Sequence, residues 1–441
     1  MKNFSFFTYM AGDNNLSDYG MRDIEEMQVS GSSPKTNVIV EIDQEGDFDG
    51  VIRYEISEKD PRTGKADRIV KERIGEKDSG DPKTLVEYLK WARSLYPAEK
   101  YFVVVWNHGS GFRNRLRALA RGISINANGT VVKNEQEIKE SITRSGRSTL
   151  FHHDYSQEFL QSSVNLRAIA SDDMTGNSLD MIELRSALTK AGFSGAKKIE
   201  VLGFDACLMN LLEVAYEMSS CANFLVGSEE LEPGDGWPYN TDTQTLNTYN
   251  GNTKQLVTNF VKNYHKYYQS RRNQWPITQS GINLAEIGSL SESLNGLGKS
   301  LSNVLPDSTM KISDIRESVQ AYAIAEDYDD YVDLGDLADL FVNNMDDDVV
   351  ISAAKNVQRD LKKVVIAEAH LGEEVKNSYG LTIWFPETAH KYHAHKLVYN
   401  KLLMTKKYPE WTKFLAKYHP AKPKGKELKR SKKVINRRIK K

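Results

Sequence analysis

The sequence predicts an α/β protein built on a mostly parallel central sheet, and three observations carry that reading. Short apolar runs of β type alternate with longer stretches of helical period. The apolar runs are short enough to be strands and too continuous to be half-solvated ones. The chain of 441 residues is 39% hydrophobic, enough to bury a large core and beyond the usual size of one domain. Strand and helix in alternation pack as parallel strands with helices on both faces.

In chain order, Phe4 to Met10 is the first strand, and a helix follows from Leu16 to Gln28. Asp13 and Asn14 precede that helix as residues that accept hydrogen bonds from first-turn N–H groups. Val38 to Ile42 and Val51 to Ile56 are the next strands. Pro82 to Ser94 is a helix opened by Asp81, with proline at the first helical position, where its missing N–H costs no hydrogen bond. Strands follow at Tyr101 to Trp106, Ala168 to Ala170, Ile199 to Phe204 and Phe224 to Val226, with helices at Met181 to Lys190 and Leu208 to Met218. A late strand, Leu381 to Phe385, either rejoins the main sheet or begins a small appended domain. The expected organisation is a core over residues 1–285 with a linker or insertion at about 112–167, a helical region over 286–418 containing the strand near 381–385, and a basic disordered tail over 419–441.

The formal charge of -1 conceals an asymmetry. Residues 420–441 hold eleven Lys and Arg against Glu427 alone, a net of +10 that leaves the remainder at -11. The tail lacks aromatic residues for base stacking, so a nonspecific tether or solubility role is expected and specific nucleic-acid binding is not. Cys207 and Cys221 cannot make a disulfide framework, and no zinc-type spacing occurs. No window approaches twenty apolar residues, so no transmembrane segment is expected. MKNFSFFTYMAGDNN lacks a small-residue cleavage site after an apolar run, so this stretch is not read as an export signal, and the compartment stays open.

In open α/β sheets the chemistry lies beyond the carboxyl ends of the strands. Two such ends draw notice. In YFVVVWNHGSGF, His108 follows an apolar strand and precedes Gly109 and Gly111; in IEVLGFDACLMNLLEVAYEM, Cys207 stands at a strand-to-helix junction. Parallel strands would place both at one edge, where the imidazole takes the thiol proton and later returns it to a leaving amine. A helix N-terminus at Leu208 would favour the thiolate, and the Gly109 and Cys207 N–H groups would bind a developing oxyanion. The plain alternative is a packing cysteine and a structural histidine, and Cys221, with no polar surroundings, is read that way.

The ordered set YMAGDNNLSDYGMRDIEEM, VVVWNHGSG, RAIASDDMTGNSLDMIEL, GFDACLMNLLEVAYEM and GSEELEPGDGWPY resembles the clostripain family of cysteine peptidases, members of the wider caspase-like group. The resemblance covers about residues 5–240 and returns weakly at YVDLGDLADL and YGLTIWFP. It implies a caspase-like α/β/α sandwich with C-terminal helical additions, and cleavage after Arg or Lys. It also implies His108 as base, Cys207 as nucleophile, Asp205 at the floor of the pocket for the basic side chain and Asp235 at its mouth. Bidentate pairing favours Arg over Lys in such a pocket. Helix capping is the alternative for Asp205, and a turn role for Asp235. The linker occupies the place of the family's activation segment, although it looks longer than is typical, and the resemblance places the processing site at Arg167-Ala168. No cofactor is required, and calcium is allowed by the resemblance.

Other motifs are weaker. Gly109-Ser110-Gly111 begins a dinucleotide fingerprint, but Asn114 stands where the third glycine is needed, and P-loop, serine-hydrolase elbow and zincin patterns are missing. His152, His153 and Asp154, and also His390, His393 and His395, are read as surface residues rather than metal ligands. The acidic run from Glu326 to Asp348 lacks EF-hand spacing and is read as a solvated helical face. The expectation is therefore a monomeric endopeptidase acting on proteins or peptides with Arg or Lys at the cut. The alternative is a catalytically silent caspase-like scaffold that binds basic peptides.

Overall fold

The computed structural model describes residues 1–44, 50–113, 124–125, 131–132, 169–172, 174–271, 275–324 and 328–419. Its central sheet has nine strands: β1 (Lys2–Gly12), β2 (Thr36–Gln44), β3 (Val51–Ile56), β4 (Arg68–Gly75), β5 (Ala98–Trp106), β6 (Ile199–Asp205), β7 (Ala222–Gly227), β8 (Ile277–Asn283) and β9 (Val365–Leu371). Their spatial order is β9-β8-β7-β6-β5-β1-β2-β3-β4. The central block from β7 to β2 is parallel, and both flanks continue antiparallel.

The apolar runs become strands because both of their faces are covered. Phe7, Tyr9, Val103 and Val105 pack with helices Pro82–Leu95 and Met181–Lys190, while Phe6, Met10, Phe102, Val104 and Trp106 pack with helices Ser17–Ser30, Tyr239–Asn247 and Thr253–Gln269. Successive residues on one strand thus feed opposite layers, which is the α/β/α sandwich. Truncating Phe102, which is fully buried, would cost about 3–5 kcal/mol.

Three strands of the sheet are not among those expected from the sequence. β4 (RIVKERIG) is an exposed, charged edge, a composition that discourages pairing with other chains. β8 (ITQSGIN) is buried yet polar, and β9 is half-buried. The sheet also crosses the boundary drawn at residue 285, because β9 comes from the C-terminal region. The strand expected at Leu381 to Phe385 is Thr382–Trp384, and it pairs with Tyr331–Asp333 outside the main sheet.

The acidic run is not solvated along its length. Asp330 is buried against Arg113 and accepts from the Trp384 indole at 2.7 Å, and Asp333 caps helix Leu334–Asn344 through the Asp336 N–H at 2.7 Å. His395 is likewise buried, on the inner side of helix Ala389–Tyr399. Among the described residues no helix is long and apolar enough to cross a membrane. Arg167, Ala168, His152, His153, Asp154, Glu326, most of the linker and the tail at 420–441 lie outside the described residues.

Candidate active site

β5 and β6 are parallel neighbours, with Asp205 in register with Trp106, so the chain leaves both strands at the same edge. The Asn107 N–H donates to the Asp205 carbonyl at 3.2 Å, and from there the two segments run side by side. Gly109 lies directly on the main chain of the cysteine segment. A Cβ added there would run into the Cys207 carbonyl oxygen and stand 3.0 Å from both the Cys207 nitrogen and the Ala206 Cβ. This close approach is what the glycine after His108 permits. His108 and Cys207 consequently line one cavity of about 30 Å³, together with Asp205 and Glu232. That is room for a water molecule or two rather than an arginine side chain.

His108 is buried, and its Nε2–H donates to Asn15 Oδ1 at 2.8 Å, so the imidazole lone pair is at Nδ1. Burial lowers its pKa from 6.5 to about 4, which keeps the ring neutral near pH 7. Asn15 is held in a turn where Asn14 accepts from the Leu16 N–H at 2.9 Å and donates to the Ala11 and Ser171 carbonyls at 2.9 and 3.0 Å. Asn107 also grips this region, accepting from the N–H and hydroxyl of Ser171 at 2.9 Å each. The sequence reading missed Asn15 and Asn107, because asparagines beside a helix start or strand end look like capping and turn residues.

Cys207 is buried, and both main-chain groups of Glu232 engage its sulfur: the N–H donates to Sγ at 3.2 Å, and the carbonyl accepts from the thiol at 3.9 Å. Burial is the main cause that holds the thiol well above its ordinary pKa. Thiol and imidazole are thus both neutral in this state. The expected support from a helix at Leu208 is absent, since that helix begins at Leu212 with Leu211 as its cap and has seven residues. The intervening chain turns instead through Leu208, whose φ of 61° is a left-handed conformation rarely adopted by a branched side chain. Cys221 is buried apart from this cavity, beside the Arg185 carbonyl and the Thr189 hydroxyl.

Asp205 ends β6 and caps no helix. It is buried, and its Oδ2 accepts from the Tyr239 hydroxyl at 2.8 Å and the Trp237 N–H at 3.4 Å. Desolvation raises its pKa to about 6 against these hydrogen bonds. Asp23, which accepts from the Trp106 indole at 2.7 Å, is pushed up by its own burial and by the charge of Asp205. The cavity floor is therefore strongly acidic. Asp235 sits half-exposed at the rim, paired with Arg271 of the same chain. Arg167 and Ala168 are not described, but the next residue, Ile169, bridges to Gly109 and so follows the proposed cut beside His108. A separate carboxylate trio, Asp13, Glu76 and Asp172, brings its oxygens within 4.8 Å of one another, and hard oxygen donors of this kind suit calcium.

The sequence model of the clostripain family matches residues 8–155 and 151–418. Clostripain of Hathewaya histolytica is 26% identical over 258 residues, 52% of this chain and 40% of that protein, so the chain spans about two fifths of that relative's length. An inactive zymogen C11 protease from Parabacteroides distasonis superposes with a TM-score of 0.66 at 18% identity, covering 92% of this chain and 99% of that one. A secreted C11 cysteine protease from Bacteroides thetaiotaomicron gives 0.62 at 14% identity, covering 93% and 99%. A secreted C11 cysteine protease of the same organism, with an irreversible peptide inhibitor, gives 0.60 at 17%, covering 94% and 99%. These three are likenesses of fold.

Proposed function

The chain belongs to the clostripain family of cysteine peptidases, and on that premise we propose that it is an endopeptidase that cuts after Arg, and less readily Lys, and that activates itself at Arg167-Ala168. The observation that carries this is the packing of Gly109 on the Cys207 main chain, which sets His108 and Cys207 on one cavity with Asp205.

In the reaction, Cys207 Sγ attacks the carbonyl carbon of the basic residue while its proton passes to His108 Nδ1. The oxyanion is held by the Gly109 and Cys207 N–H groups. His108 then gives the proton to the departing amine as the C–N bond breaks, and a water deprotonated by His108 releases the acyl group from sulfur. Asn15 keeps the ring in the required tautomer. Asp205 pairs with the guanidinium, and the segment from Glu232 to Gly236 moves outward to admit it, because the cavity is too small as it stands. The dyad needs no cation; calcium, if used, would be held by Asp13, Glu76 and Asp172, where it would neutralise adjoining carboxylates.

Self-cleavage is supported by the sequence, in which Arg167 precedes an apolar Ala-Ile-Ala run, and by the zymogen state named for the Parabacteroides distasonis relative. The bridge from Ile169 to Gly109 ties the chain after the cut to the dyad. Mass spectrometry should find a new N-terminus at Ala168 in wild type and an intact chain in Cys207→Ala; equal nicking in both would assign the cut to another protease. Fluorogenic peptides with Arg, Lys or norleucine before the scissile bond test the reaction itself. Turnover is expected in that order, lost in His108→Ala and Cys207→Ala and kept in Cys221→Ala. Binding without turnover would leave the scaffold reading.

A further inference from the structure

We infer that Glu232 is a second acidic determinant of the basic-side-chain pocket, holding with Asp205 one shared proton that the entering guanidinium displaces. This rests on the specificity reading above and adds to it a residue and a proton balance.

Glu232 belongs to the loop after β7 and is 5% exposed. Its main chain brackets the Cys207 sulfur, and its carboxyl lines the cavity beside that of Asp205, within hydrogen-bond reach. The Trp237 indole N–H faces the Glu232 carboxyl and works against its protonation, but among the described residues no N–H or O–H donor makes a well-formed hydrogen bond to either Glu232 oxygen. A buried carboxylate so placed, next to a second one, is too costly to leave ionised, so the pair keeps a proton. Burial and the charge of Asp205 both push Glu232 upward, which makes it the proton's holder and Asp205 the acceptor.

Among the described residues the groups around the pair offer no base to relieve it. Tyr264 and Tyr268 from helix Thr253–Gln269 and the Cys207 thiol face Glu232, and Asp23, Tyr239 and Asp242 stand behind Asp205. His108, across the cavity, is neutral, and Arg271 is engaged by Asp235 at the rim. A guanidinium changes this balance. It carries one positive charge and several N–H donors, and so can pair with both carboxylates once the proton has gone to solvent. Arginine then binds as a cation to two carboxylates with release of one proton. A neutral side chain of equal length leaves the proton in place.

The test is calorimetry on the wild-type full chain with a short peptide ending in agmatine, which presents the guanidinium but no carbonyl to Cys207. Titrations in phosphate and in Tris, buffers with different ionisation heats, report the protons exchanged. Release of about one proton is expected, falling to near zero in Glu232→Gln, with binding weakened about tenfold or more because one partner of the cation is gone. Circular dichroism and the thermal unfolding midpoint check that Glu232→Gln folds as wild type does. Heats independent of the buffer in wild type would overturn the inference without recourse to any variant, as would equal release in Glu232→Gln. If wild type binds no agmatine peptide, the specificity reading itself falls and takes this inference with it.

Discussion

Gly109→Ala is the substitution that most sharply separates a working dyad from two residues that merely lie near each other. The added Cβ would overlap the Cys207 carbonyl oxygen and press on the Cys207 nitrogen and Ala206 Cβ at 3.0 Å. These neighbours are main chain at a strand end rather than the tip of a flexible side chain, so the His108 loop must retreat by about 1 Å, a misplacement worth about a hundredfold in rate. The Gly109 N–H, half of the proposed oxyanion site, moves with it, and loss of one such donor costs about 10²–10³ in kcat. A fall in kcat of a hundredfold or more is therefore expected, with KM changed little, since Asp205 is untouched. The assay is steady-state cleavage of an Arg peptide, with circular dichroism to confirm folding. A folded Gly109→Ala protein with wild-type kcat would refute the adjacency of the two segments.

Other expectations follow from the same geometry. Asp205→Asn removes the charge proposed to meet the guanidinium and should lower kcat/KM for Arg peptides by about 30-fold or more, while an unchanged value in a folded variant would move the pocket elsewhere. Asn15→Ala should lower kcat about tenfold or more, because His108 loses the acceptor of its Nε2–H. Asn15→Asp keeps an acceptor and adds a negative charge that favours imidazolium, so the acid limb of its pH–rate profile should shift to higher pH; an unmoved limb would remove Asn15 from the mechanism. Glu213 is fully buried, accepts from the Trp384 N–H at 3.1 Å, and is raised by burial from 4.5 to about 7. A raised carboxyl contributes stability below pH 4.5 that is lost as pH rises through 7, so Glu213→Gln should gain up to about 3 kcal/mol relative to wild type between pH 4.5 and 8. Chemical denaturation at both pH values measures this, and an equal difference at each would contradict it.

The sequence made the centre of the sheet legible because β1 and β5 are buried on both faces, and a short run as apolar as Phe4 to Met10 suits a strand covered on both sides. It hid the flanks for the opposite reason. β4 is charged at an exposed edge, and polar groups of β8 find partners distant in sequence, as where Thr278 accepts from the Glu229 and Glu230 N–H groups. His108 and Cys207 could be picked out because each follows an apolar strand in a run with glycine nearby, whereas Asp205 was singled out through the family resemblance. Asn15 and Glu232 could not, since their parts depend on main-chain bonds and carboxyl contacts that only the folded chain creates. The helix start drawn at Leu208 failed for a local reason: an apolar stretch matches helical period whether or not its first residue is left-handed, as Leu208 is.

The central claim is that Cys207, activated by His108, attacks a carbonyl positioned by a basic side chain. The most direct measurement is labelling with a thiol-reactive probe carrying an arginine-ending peptidyl group, read by mass spectrometry of the modified cysteine. Labelling should fall on Cys207 and spare Cys221, be competed by an Arg peptide but not by a norleucine one, and collapse in His108→Ala. Modification of Cys221 at an equal rate, or labelling of Cys207 that survives loss of His108 and ignores the arginine, would contradict it.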